Sequence, residues 1–190
     1  MSRLAVFNSV SMDGYFTGEN GDLSWAHAAD DPEWNKFVAD NAQSEGMMLF
    51  GRITYDMMAS FWPTPNAMAT MPAVATPMNE KAKIVFSRTM GKPTWNNTRV
   101  VKGKLADEVR KLKKESGMNM TILGSGSIVA QLAPEGVIDE YQIVMNPVVL
   151  GKGRTMFDGV DKKLDLKLTR SRTFKNGNIL MCYEPIRFKA

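Results

Sequence analysis

Along the first two thirds of the chain, short apolar runs alternate with apolar positions at helical spacing. "RLAVFNS" (3–9) reads as a first strand and "MMLF" (47–50) as a short strand buried on both faces, with "KIVFS" (83–87), "RVV" (99–101) and "MTIL" (120–123) as further strands. Asp31 caps a helix that has Pro32 in its first turn and Trp34, Phe37 and Val38 on one face. A second helix, "RITYDMMASF", follows Gly51. A third runs from Lys104 to Ser116, with Leu105, Val109 and Leu112 as its stripe and Gly117 as its end. Strands separated by helices imply parallel pairing.

The last third changes character. "DEYQIVM" (139–145), "LDLKLTRSRTF" (164–174) and "NILMCYE" (178–184) are strands without intervening helices. Leu164, Leu166 and Leu168 alternate with charged residues, which predicts one wet face, and Asn176-Gly177 signals a hairpin turn. The pattern predicts one α/β domain over 1–190: a mixed, mostly parallel sheet with helices on both faces and an antiparallel C-terminal hairpin. Two connections stand apart. The loop at 10–30 is long for a compact domain and favours a functional role, and Trp62 to Pro77, rich in Pro, Ala and Met, reads as an irregular connection over a site or an interface.

With 44% hydrophobic and 23% charged residues, the chain reads as soluble and globular. No stretch is long and apolar enough to cross a bilayer and no secretory leader is evident, so a cytoplasmic protein without a membrane partner is expected. The single cysteine, Cys182, excludes an internal disulfide, and with only one histidine, His27, the usual zinc sites are not expected. A formal charge of +4 is modest, and "RKLKKE" is the wet face of a helix, so no nucleic-acid partner is expected.

"TILGSGSIVAQL" (121–132) raises the question of chemistry. Small residues at a strand-to-helix turn leave the first backbone N–H groups of the helix open to an anion. The same residues also make a tight turn capped by Ser125 or Ser127. "LFGRITYDMM" and "IVFSRT" end their strands in Gly51, Arg52 and Thr54 and in Ser87 and Arg88. Three such ends along the carboxyl edge of a parallel sheet can converge on one ligand, and a dinucleotide with an extra phosphate would use all three.

These stretches, together with "SMDGYF", "DLSW", "DEYQIVMNPVVLGKGRTMF" and "GNILMCYEP", resemble the dihydrofolate reductase-like superfamily over nearly the whole chain. The resemblance is closer to the reductase domain at the C-terminal end of the bifunctional riboflavin-biosynthesis deaminase-reductases. It implies a three-layer dihydrofolate reductase-like fold that uses NADPH. Gly51, Arg52 and Thr54 match the segment on the adenosine phosphate and pyrophosphate, with Arg52 on the 2′-phosphate. Ser87 and Arg88 match the adenosine side, and Gly124, Ser125, Gly126, Ser127, Ile128 and Val129 match the glycine-rich turn on the pyrophosphate. The peptide of that turn is cis in folate reductases, and the matching bond here is Gly124-Ser125. Asn8, Phe16, Trp25 and Met58 match positions lining the nicotinamide and substrate cleft.

Asp30 matches the proton-donating carboxylate, although "DDPEW" is also a good helix start without catalysis. "GKGR" (151–154) reads as a turn or as a loop near the substrate. The deaminase half of the bifunctional enzymes needs several cysteines, so the resemblance points to a stand-alone reductase domain. The implied activity is NADPH-dependent reduction of a small heterocycle, as for 5-amino-6-(5-phosphoribosylamino)uracil, yet no residues match a ribose-phosphate clamp. Dihydrofolate reduction and binding of NADPH or a heterocycle without turnover are the alternatives, and a homodimer is expected from the relatives.

Overall fold

The computed structural model describes residues 2–26 and 30–186. In chain order the elements are β1 (Leu4–Ser11), β2 (Tyr15–Thr17), α1 (Pro32–Gln43), β3 (Met47–Gly51), α2 (Arg52–Phe61), α3 (Pro65–Thr70), α4 (Pro72–Glu80), β4 (Lys83–Phe86) and β5 (Thr98–Val101). They continue with α5 (Leu105–Glu115), β6 (Met120–Leu123), α6 (Gly126–Leu132), β7 (Glu140–Asn146), β8 (Arg154–Thr155), β9 (Leu166–Thr173) and β10 (Ile179–Pro185). Eight strands form one sheet in the order β5-β4-β3-β6-β1-β7-β10-β9, and β2 pairs with β8 in a separate two-stranded ribbon. The sheet is parallel from β5 to β7 and antiparallel through β10 and β9, as the sequence pattern predicts.

Strand alternation sends Leu4, Val6, Leu49, Met120 and Ile122 to one face, where they are buried against Val109 and Leu112 of α5 and Ile128, Val129 and Leu132 of α6. The opposite face is covered in two blocks. Over β3 and β4, Tyr55 of α2 and Val74 and Met78 of α4 pack with Phe50, Val85 and Trp95. On the other side, α1 brings Phe37 to 6.2 Å from Phe7, and Trp34 to 5.0 Å from Phe174 in an edge-on contact. Between the blocks, Phe7, Ser9, Thr121 and Leu123 remain half-buried, the floor of a groove.

Three expectations are corrected. The segment from Trp62 to Pro77 is helical rather than irregular: Pro65 and Pro72 occupy first helical turns, where a missing N–H is harmless, and the Thr64 hydroxyl accepts from the Ala67 N–H. The loop at 10–30 contains β2 and two short 3₁₀ turns, Glu19–Gly21 and Ser24–Ala26. The alternation of Leu164, Leu166 and Leu168 holds only in part: Leu164 and Leu166 pack against the core, whereas Leu168, on the outermost strand, is 50% exposed. A register shift pairs Cys182 with Arg170 but Tyr183 with Leu168, so Thr169 is an extra residue that interrupts the pairing just beyond the leucines.

Asp31 joins α1 to the C-terminal hairpin. Its buried carboxylate accepts from the N–H groups of Glu33 and Trp34 in the first turn and from the Asn176 N–H at 3.1 Å, across most of the chain length. Burial alone would raise its pKa, but the N–H donors of Asn176, Trp34, Glu33 and Lys175 hold it below the usual carboxylate value. A carboxylate with a lowered folded pKa contributes stability that is present above its unfolded pKa and lost as pH falls through the folded value. Asp31→Ala should therefore lower the melting temperature at pH 7 by about 2–4 °C. Asp31→Asn should lack part of the wild-type loss of stability below about pH 4. Identical pH profiles for wild type and Asp31→Asn would refute this role.

Candidate active site

The carboxyl ends of β1, β3 and β6 meet at the Gly-Ser turn. Gly124 and Ser125 both adopt left-handed backbone, with φ of 59° and 56°. For a residue with a side chain this conformation costs about 1–2 kcal/mol. Two hydrogen bonds offset it: the Ser125 hydroxyl accepts from the buried Gly51 N–H at 2.9 Å, and the Ser125 N–H donates to the Thr54 hydroxyl at 3.1 Å. The end of β3 and the end of β6 are thus latched to one another. No peptide among the described residues is cis, so the Gly124-Ser125 bond is trans. A Cβ on Gly126 would stand 2.5 Å from Cζ of Phe16, so only glycine lets the ring of β2 lie on the turn.

A cavity of about 840 Å³ opens along this turn and continues down the groove. Its polar end is lined by Asn8, Phe16, Thr54 and Gly124 to Ser127, and is covered by the ribbon of β2 and β8 with Thr17, Lys152, Gly153 and Arg154. Asp13 holds this cover in place. Its carboxylate accepts from the Ser11 hydroxyl and from the N–H groups of Leu150 and Gly151, which keep it below the usual carboxylate range. Gly153 is pressed against the Thr17 carbonyl, where a side chain has no room. Lys152 pairs with Glu19 at 2.8 Å. The sequence of "GKGR" suits both a turn and a loop near the substrate, and the structure places it over the cavity. The signal for its place is Lys152 between two glycines with Arg154 directly after, but the pairing of β8 with β2 has no local trace.

The other end of the cavity is apolar. Met48 and Leu123 of the sheet, Val38 and Ala42 of α1, Met57 and Met58 of α2, Trp62, and Val74 and Met78 of α4 line it. The Trp62 indole N–H donates to Met58 Sδ at 3.0 Å.

The remaining expected site residues fall around this cavity rather than in it. Arg52 is on the surface beside it, with Nε 3.3 Å from Asp56 and Nη1 3.1 Å from the Thr89 hydroxyl. The Ser87 hydroxyl accepts from the Met90 N–H, and Arg88 is exposed. Gly51 is buried at the latch, and Ile128 and Val129 face the core. Trp25 donates its indole N–H to the Asp22 carbonyl and does not line the cavity, although Leu23 and Ala26 do. Asp30 is exposed and accepts from the Asn35 amide at 2.9 Å, away from the lining. Among the described residues only Glu19 and Glu45 bring carboxylates to the lining, one at each end. His27 lies outside the described residues. Among those described, no cluster of three or more His, Cys, Asp or Glu side chains is disposed to hold a metal, and no helix is long and apolar enough to cross a membrane.

The model of the RibD C-terminal domain matches residues 3–180. The chain belongs to the RibD C-terminal domain family. Within reach of this RibD-type chain, the protein YyaP of Bacillus subtilis (strain 168) is 28% identical over 181 residues, covering 95% of this chain and 94% of YyaP. A solved structure from Shewanella sp. PV-4, which carries a riboflavin-biosynthesis name, superposes with a TM-score of 0.79 at 25% identity, covering 97% of this chain and 99% of that one. Dihydrofolate reductase from Enterococcus faecalis, complexed with NADP(H), gives a TM-score of 0.63 at 16% identity, with 96% of each chain covered. The fold is therefore dihydrofolate reductase-like.

The latch gives a direct stability test. Ser125→Ala leaves the buried Gly51 N–H without an acceptor and should destabilise the protein by about 1–3 kcal/mol in urea unfolding. Thr54→Val should cost less, because the Ser125 N–H is only partly buried. A Ser125→Ala variant as stable as wild type would show that the hydroxyl does not hold the two strand ends together.

Proposed function

We propose that this RibD-type domain is a reductase that uses NADPH, and that the latched turn holds the nucleotide. The observation that carries the reading is one cavity that runs from the Gly124 to Ser127 turn, past the start of α2, into an apolar groove. The residues fit the cofactor. Gly126, bare of a side chain, brings backbone to the cavity wall, and the first N–H groups of α2 have no intrahelical acceptor. Ile53 and Thr54 line the cavity next to Arg52, whose planar guanidinium suits a phosphate monoester beyond the cavity mouth. Family membership and the likeness to an NADP(H)-bound dihydrofolate reductase support the same choice.

When bound, a reduced nicotinamide supplies a hydride for a C=N or C=O bond. The chain's own part is to bind, orient and exclude water. Phe16 and the ribbon of β2 and β8 cover the polar end, and the latch fixes the distance between the two strand ends that the nucleotide would span. Among the described residues no carboxylate lines the middle of the cavity and Asp30 lies away from it, so this reading assigns the proton that accompanies the hydride to none of them.

Calorimetric titration with NADPH and NADH tests the reading. The parent should prefer NADPH, and Arg52→Ala should reduce that preference about tenfold to a hundredfold, the equivalent of about 1.5–3 kcal/mol for a charged hydrogen bond. Failure of both nucleotides to bind would overturn the assignment, and an undiminished preference in Arg52→Ala would remove Arg52 from it.

A further inference from the structure

The apolar end of the cavity carries information on the second ligand, and that inference rests on the nucleotide taking the polar end. Among the described residues, the charged members of the lining fall into two groups, one toward each end. Glu19, Lys152 and Arg154 belong to the cover at the carboxyl ends of the strands, whereas Glu45 and Lys81 flank the opposite ends of β3 and β4. Between them the wall is built from Met48, Met58, Met78, Trp62 and Leu123. Trp62 offers no free donor there, because its indole N–H is taken by Met58 Sδ.

A phosphate or other full charge among the methionines would lose its hydration with no cation beside it, since Lys81 stands at the far end of the stretch with Glu45, and this is strongly unfavourable. Methionine side chains are flexible and polarizable, and they make favourable contacts with the edges of aromatic rings. Neutral polar side chains face the same space, among them Asn41 of α1 and Thr121 of β6. Both are half-buried, and neither side chain has a hydrogen-bond partner among the described residues. An amide and a hydroxyl at this position can satisfy a carbonyl or a ring nitrogen of a neutral ligand.

We propose that this channel takes a neutral, largely apolar ring compound with one or two hydrogen-bonding heteroatoms, and that it excludes phosphorylated substrates. The ring lies among the methionines and Trp62, with its polar edge toward Asn41 and Thr121. The chain would then share its fold with reductases of phosphoribosyl pyrimidines but not their substrate class.

The test is calorimetry without any nicotinamide nucleotide, using quinolin-2-one and 1-tetralone as neutral probes and uridine 5′-monophosphate as the charged one. At least one neutral probe should bind the parent, and uridine 5′-monophosphate should not. Met58→Lys and, on the opposite wall, Ala42→Glu should each weaken the neutral probe tenfold or more, each variant being used only if its melting temperature stays near the parent's. Absence of binding by both neutral probes, tighter binding of uridine 5′-monophosphate, or indifference to both substitutions would overturn the proposal. Because the nucleotide is absent, these outcomes are separate from the NADPH titration, and either reading can fail alone.

Discussion

The mutual hydrogen bonding of Ser125, Gly51 and Thr54 is the constraint on which the site depends. Two strand-to-helix junctions, distant in sequence, become one surface because a serine hydroxyl satisfies the last buried N–H of β3 while its own N–H reaches the first turn of α2. The left-handed backbone at Gly124 and Ser125 is what turns that hydroxyl toward β3. Once the junctions are joined, Ile128 fills the space next to Gly51, and Gly126 accepts the ring of Phe16. The long loop after β1 is thereby tied to the same point.

The groove follows from incomplete coverage of one sheet face. α5 and α6 bury their side continuously, whereas α1 and the α2–α4 block stand apart over the other and leave Phe7, Thr121 and Leu123 only partly covered. Apolar floor left only partly covered is ordinarily unfavourable in water, and a ligand that covers it recovers the lost burial. The polar groups at the strand ends and the apolar floor thus serve different halves of one cavity.

Much of the fold was legible because it rests on local periodicity. The parallel body, the C-terminal hairpin and the Asp31 cap are all written in short windows of sequence. The helices after Trp62 escaped notice because Pro65 and Pro72 read as breakers when they are first-turn residues. Leu168 of β9 misled because its strand is the outermost of the sheet, where alternation alone does not secure burial. At the site, the Gly-Ser turn was visible, but the Ser125 hydroxyl is engaged with β3, a contact between residues 74 positions apart. The ribbon that covers the cavity was illegible for the same reason, since β2 and β8 are too short to declare themselves alone. Asp30 matches an expected offset, yet its side chain accepts from Asn35 of the helix that follows it.

The most direct test of the central claim is a crystal structure of the protein with NADPH bound. The account predicts the nucleotide along Gly124 to Ser127 and the start of α2, with the nicotinamide ring beside Phe16 at the mouth of the apolar channel and the Ser125–Gly51 hydrogen bond intact. A nucleotide seated away from this turn, or with its nicotinamide outside the cavity, would contradict it.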